Sequence, residues 1–331
     1  MPFSTSRRSL MMAGAALAAG PALAAGAAQA QERYPAKPIT LVIPFPPGAS
    51  TDLVGRPLAQ RMSEALGVPV VVENRAGAGG MLGSEYVARQ RPDGYTLEIV
   101  LNATHGLISL FNRNVSYDPF RDFSYVVLAA SAPTAFMAHP SVPASTVAEL
   151  LDHARRSPDN LQVGSSGVGS HHHLGVALLR QRTGLPFVHV PFRGGGEAMT
   201  ALIGGHVPLA FGTLSTALEA ARSKQVKILG LMDAERAAVA PGVPTIGETL
   251  EGYSAPSVLI GVLGPARMPE PVVARLNAVI NEALANEAVR MRLMELGVQP
   301  MGGTPDAFRD RFRADMDRFR AIMETAGIQP E

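Results

Sequence analysis

The chain has 331 residues, a formal net charge of +1 and no cysteine, which excludes a disulfide framework, thiolate catalysis, Cys-ligated metal and a lipid anchor on Cys. Its 29 basic and 28 acidic side chains lack the excess that marks a nucleic-acid binder. Hydrophobic residues at 47% and charged residues at 17% fit globular domains with a sizeable core, and aromatics at 5% without Trp argue against an aromatic sugar platform.

The first thirty residues read as an address. Arg7 and Arg8 are the only charges before Glu32, and a weak Ala- and Gly-rich apolar run follows from Leu10 to about Ala25. That run is too short and too weak to span a bilayer. Ala28-Gln29-Ala30 supplies a small-x-small cleavage pattern, so residues 1–30 are expected to be an export signal peptide. Ser6-Arg7-Arg8-Ser9-Leu10-Met11 also matches a twin-arginine signal, and general secretion is the alternative route. The remainder, with 27 basic and 28 acidic groups, is expected in the periplasm.

Strands and helices then alternate. Ile39–Ile43, Pro69–Glu73 and Thr96–Leu101 read as strands, with helices over about Leu53–Leu66 and Met81–Arg91. Pro57 lies past the first turn of its helix, so a kink or a delayed start is expected there. A second series runs from about Ala130 to Tyr253. Its strands are Thr134–Ala138, Gln162–Gly164, Phe187–His189, Leu209–Phe211 and Lys227–Leu231, and its helices Val147–Arg156, His173–Thr183, Glu197–Gly204 and Ser215–Ser223. Val258–Leu263 reads as a further strand. Helices over Pro271–Asn286 and Glu287–Leu296 follow, and Thr304-Pro305-Asp306 opens a long final one. This alternation predicts an α/β fold with parallel-rich sheets in two lobes: residues 32–130 plus 255–331, and residues 131–254. The chain would cross between lobes near Ala130 and Ala255 and leave a cleft.

Candidate chemistry sits in Gly-rich or polar loops after predicted strands. These are Gly48-Ala49-Ser50-Thr51-Asp52, Asn102-Ala103-Thr104-His105, Ser165-Ser166-Gly167-Val168-Gly169-Ser170 and Arg193-Gly194-Gly195-Gly196. Open α/β sheets bind ligands beyond the carboxyl ends of their strands, where helix N-termini favour anions. Each loop taken singly also fits a plain strand-to-helix turn. Asp52 fits either a contact for a ligand ammonium or the capping of its own helix. His171-His172-His173 lacks metal spacing, because adjacent side chains diverge and no acid is near in sequence, although one imidazole could donate to an anion. G-x-S-x-G is missed by one residue at Gly164–Gly167, and Gly77, Gly79 and Gly83 miss the dinucleotide spacing. No enzyme, cofactor or metal is expected.

In order along the chain stand Tyr34–Ile39, Val42–Gly48 with Thr51-Asp52, Val71–Gly80, Pro92–Leu97, Tyr117–Pro119 with Asp122-Phe123, His189–Gly195, Pro241–Thr245, Leu296–Val298 and Gly302–Pro305. This series resembles the Bug family, the extracytoplasmic receptors of tripartite tricarboxylate transporters. The resemblance implies a type II-like, two-lobed periplasmic binding protein with two crossing hinge strands. It further implies a monomer that closes on a small mono- or dicarboxylate and delivers it to a membrane permease, or alternatively reports to a sensor kinase. Carried over by position, the ligand contacts are Gly48, Ala49, Ser50, Thr51 and Asp52, then Asn102, Ala103, Thr104 and His105. Ser166, Gly169, Ser170 and His173 follow in the second lobe, with Arg193, Gly194 and Gly195, and Thr213 and Ser215 as closing contacts. Pro57, Ile108, Pro208 and Leu259 depart from the family pattern, which implies a more apolar or looser cleft wall.

Overall fold

The computed structural model describes residues 34–47, 50–112, 114–159, 161–168 and 170–325. The predicted export signal, residues 1–30, lies outside them. Short β-branched runs form strands β1 (Ile39–Ile43), β2 (Val70–Asn74) and β3 (Thr96–Leu101). Between and after them come helices α1 (Ser50–Leu66), α2 (Met81–Ala88) and the single turn α3 (Ile108–Phe111). Strand β4 (Phe123–Ala132) then leads through Pro133 alone into β5 (Thr134–Ala138). Next follow α4 (Val147–Arg156), β6 (Gln162–Ser165), α5 (His171–Thr183), β7 (Val188–Pro191), α6 (Gly195–Ile203), β8 (Leu209–Thr213), α7 (Leu214–Arg222) and β9 (Lys227–Leu231). The chain closes with β10 (Val258–Pro265), α8 (Glu270–Ala285), α9 (Glu287–Glu295), β11 (Gln299–Pro300) and α10 (Pro305–Thr325).

Two sheets result, ordered β11-β4-β10-β3-β1-β2 and β7-β6-β8-β5-β9, and they define lobe one and lobe two. Strands joined by helical crossovers pair in parallel, β1 with β2 and β3, and β6 with β7 and β8. Strands β4, β5 and β10 pair antiparallel to their neighbours, so both sheets are mixed rather than parallel-rich throughout. The reason is the crossing: β4 and β10 run beside each other at the lobe boundary in opposite directions. Pro191, Pro265 and Pro300 each end a strand, where a missing N–H costs little.

Helix α1 is continuous from Ser50 through Pro57, so the delayed start, one of the two outcomes expected at that proline, does not occur. The carbonyl that loses its donor belongs to Leu53, which is 37% exposed, and water can satisfy it. The core face of α1 is Val54, Leu58 and Met62, and Leu53 lies off it.

Helix α10 carries an apolar stripe, Phe308, Phe312, Met316, Phe319 and Met323, all buried. Its first half lies on the lobe-one sheet. Gly261 in β10 makes room: a Cβ there would sit 2.0 Å from Phe308 Cζ. Its second half reaches lobe two, where Leu174 of α5 joins the same apolar cluster and Ile322 touches the cores of both lobes. Helix α10 thus braces the crossing from behind.

Candidate functional site

The strand register brings the carboxyl edges of both sheets to the crossing. Leu101, the end of β3, pairs with Ile260, and Val258 pairs with Ala132, one residue from Pro133. Across the boundary Thr134 pairs with Thr213, the end of β8. The carboxyl ends of β3 in lobe one and β8 in lobe two therefore stand at the junction, and β1 and β6, parallel to them, end on the same edges of their sheets. The two sides also touch: Gly297, at φ +66, packs so closely that a Cβ would lie 2.6 Å from Ser215 Cα.

In lobe one the polar side chains are tied down. Asp52, in the first turn of α1, is 4% exposed and accepts hydrogen bonds from Arg56 Nε (2.8 Å) and Asn74 Nδ2 (3.1 Å). Arg56 also donates to Asn74 Oδ1 (3.0 Å), and Asn74 to the Phe45 carbonyl (2.9 Å). The carboxylate thus fixes α1 against the ends of β1 and β2, and it already has a cation. Thr51 is fully buried and its Oγ1 has no hydrogen-bond partner.

After β3 the chain makes one π-helical turn, Asn102–Gly106, closed by Leu107 N donating to the Asn102 carbonyl (3.0 Å). Such turns recur at functional sites. The Asn102 side chain points into the crossing. It donates to the Ser257 carbonyl (3.0 Å) and Asp315 Oδ2 (3.2 Å) and accepts from Leu259 N (2.8 Å). His105 points into the lobe-one core. It stacks on Tyr117 (5.0 Å), meets Phe123 edge-on (4.5 Å), and its Nδ1 lies 3.0 Å from Ser84 Oγ, which donates to Glu98 Oε1 (2.6 Å). Burial pushes the Glu98 carboxyl up to about 8 and the His105 imidazole down to about 3, so both are neutral at pH 7. The side chains of Asn102 and His105, two of the expected ligand contacts, fix the loop.

In lobe two Ser170 caps α5: its hydroxyl accepts from His173 N (3.2 Å) and donates to the Gly167 carbonyl (2.7 Å). His173 stacks face to face on His189 at 4.0 Å, and burial lowers both imidazoles. Ser165 Oγ lies 2.5 Å from His189 Nε2. Ser166 is half-buried. Gly194 caps α6 without a side chain, and Arg193 N donates to Glu197 Oε2 (2.9 Å). The Arg193 guanidinium is exposed and makes no ion pair among the described residues. Thr213 and Ser215 hydroxyls lie 3.1 Å apart at the start of α7.

Gly48, Ala49 and Gly169 lie outside the described residues, as do the side chains of Ser50, Ala103 and Thr104. Sequence reasoning missed Ser84 and Glu98. A lone acid inside the apolar run Thr96–Leu101 was the available signal for Glu98. No group of three or more metal-ligating side chains forms among the described residues.

Two α/β lobes, each with a mixed sheet, joined by strands that cross between them, define a two-lobed periplasmic binding protein. The profile described as "Tripartite tricarboxylate transporter family receptor" matches residues 54–328, and the chain belongs to that family. Protein BugT of Bordetella pertussis is 30% identical over 90% of this chain and 92% of its own. Among solved structures, R. palustris Rpa4515 with adipate superposes with a TM-score of 0.81 at 32% identity, covering 90% of this chain and all of that one. MatC (Rpa3494) from Rhodopseudomonas palustris with bound malate gives 0.75 at 33% identity over 87% and 99%. These matches bear out the resemblance read from the motifs. The chain is thus a solute-binding receptor of the tripartite tricarboxylate transporter family.

Proposed function

We propose that the protein is exported to the periplasm, captures a small carboxylate between its lobes and hands it to the membrane permease of a tripartite transporter. In this reading lobe one is residues 32–130 plus 255–331, lobe two is residues 131–254, and ligand contacts to both favour the closed state. One observation supports it: in lobe two α6 starts without a side-chain cap, close to His172 at the start of α5 and next in sequence to Arg193, which makes no ion pair among the described residues, a donor-rich surface suited to an anion. The neighbours with adipate and malate hold ligands of this class.

The acids near these loops are already engaged, Asp52 with Arg56 and Glu197 with Arg193 N. Asp52, paired with a cation, is not left to receive an ammonium group, which favours plain carboxylates over amino acids. The protein acts as a binder and not as an enzyme.

A thermal-shift screen of residues 31–331, unfolded and refolded to strip trapped ligand, tests the proposal. A carboxylate at a hundredfold excess over its Kd adds about 2.7 kcal/mol of stability. Dose-dependent stabilisation by carboxylates, and none by sugars or amines, is the expected result. A panel in which only amines or sugars stabilise would overturn it.

A further inference from the structure

Two neighbouring side chains at the start of α5 stand out among the buried polar groups. His171 is 3% exposed and His172 is 7% exposed, yet both ring nitrogens of His171 and Nδ1 of His172 are buried without a hydrogen-bond partner. Buried polar atoms are nearly always paired, so each such case demands a cause.

The two imidazoles have different surroundings. His171 lies edge-on to Phe319 of α10, with ring centroids 5.7 Å apart, and serves as an aromatic brace between the lobes. His172 faces the other way. Its Cε1 lies 3.9 Å from the position a Cβ on Gly195 would take. Gly195 is the first residue of α6, whose opening N–H groups have no intrahelical partner and whose cap, Gly194, has no side chain to serve them. Arg193, with its unpaired guanidinium, immediately precedes that cap. An imidazole with an unpartnered Nδ1 and an uncapped helix start therefore meet in lobe two, with Arg193, which makes no ion pair among the described residues, next in sequence to the cap.

We propose that His172 is a specificity-determining residue, a hydrogen-bond donor to the ligand's second carboxylate, which lobe two holds at the start of α6 beside Arg193. The inference rests on the carboxylate-receptor reading above and adds to it how one class of acid is chosen. Burial holds the imidazole far below its usual range, at about 4, so at neutral pH it offers one N–H and one lone pair and no charge. Arg193 and the helix start then supply attraction, and His172 supplies direction. A monocarboxylate of equal length would leave the imidazole unpaired, and a site built to hydrogen-bond a group discriminates against ligands that lack it.

The test is calorimetry on the refolded protein with length-matched pairs, adipate against hexanoate and succinate against butyrate, with malate as a fifth probe. Wild type is expected to prefer at least one dicarboxylate over its partner by about tenfold or more. His172→Phe, which keeps ring volume without nitrogens, should erase most of that preference and leave monocarboxylate affinity almost unchanged. His172→Gln, which keeps a donor, should retain part of it. If the Phe variant fails to fold, His172→Ala serves the same comparison. Equal losses for both members of a pair would show a packing role and overturn the proposal. An intact preference in the variants, meaning that the imidazole holds only buried water, would overturn it as well, as would a wild type that prefers the monocarboxylate. Wild type binding none of the five would instead remove the carboxylate-receptor reading and this inference with it.

Discussion

The loops of the two lobes occupy equivalent places, past the carboxyl ends of parallel strands, yet they are built in opposite ways. In lobe one several polar side chains are spent on the protein, Asn102 on the crossing strand, Asp52 on Arg56 and His105 Nδ1 on Ser84, although Thr51 Oγ1 and His105 Nε2 keep no partner. In lobe two several stay unspent, namely the Arg193 guanidinium, the His172 imidazole and the opening N–H groups of α6. A loop whose side chains are internally satisfied presents a fixed backbone, which suits a carboxylate group common to every ligand. A loop with unpaired donors presents side chains that can read what differs between ligands. On this account lobe one provides the shared anchor and lobe two the selectivity.

Asn102→Leu should break the anchor most severely. It removes the Asn102 partner from Leu259 N, the Ser257 carbonyl and Asp315 Oδ2, with Asp315 keeping Arg311, and should cost about 4 kcal/mol by urea unfolding. A loss below 1 kcal/mol would mean that water replaces the amide freely and that the loop is not rigid.

Glu98 sharpens the same point through pH. Burial raises its carboxyl from 4.5 to about 8, so between those values the folded state keeps a proton that the unfolded chain has released. The sign follows: stability from this group is greatest below 4.5 and falls as pH rises towards 8, by roughly 1.4 kcal/mol per pH unit. Glu98→Gln removes that slope, so the variant should gain on wild type steadily from pH 5 to 8 in urea midpoints. Parallel pH profiles would contradict a neutral buried Glu98.

Lobe two should respond in binding rather than folding. Arg193→Ala is expected to weaken carboxylate affinity about tenfold and to flatten its dependence on salt, with unfolding unchanged. Unchanged calorimetric affinity would place Arg193 outside the site. The smallest effect is expected from Ser170→Ala, which removes a helix cap and should cost about 1 kcal/mol of stability. Its affinity should change less than about threefold if Ser170 serves the helix rather than the ligand.

Much of the fold is legible because the deciding signals are local. Ile39–Ile43, Thr134–Ala138, Val147–Arg156 and Lys227–Leu231 match the sequence reading at both ends, being apolar or amphipathic runs with clear breakers. Strand β4 was not legible. Its second half, Leu128-Ala129-Ala130-Ser131-Ala132, has little intrinsic strand preference and is held extended by pairing with β10, far away in sequence. The start of α5 at His171 rather than His173 was set by the Ser170 cap, which the histidine run obscured.

The site divides along the same line. Its loops were readable because glycines and small polar residues follow strands. The directions of Asn102 and His105 were not, since they depend on Ser257, Leu259 and Asp315 in one case and on Ser84 and Glu98 in the other. The adjacent histidines could be set aside as a metal site from their spacing alone. That His172, unlike His171, faces the start of α6 required the packing of two helices.

The central claim is that one carboxylate ligand is shared between a fixed loop set in lobe one and an adaptable one in lobe two. A crystal structure of the refolded protein with its strongest-binding carboxylate tests this most directly. The account predicts one carboxylate group on the backbone N–H groups after β1 and β3, and the ligand's far end beside Arg193, Gly195 and His172. A ligand held by one lobe alone, or bound away from the crossing, would contradict it.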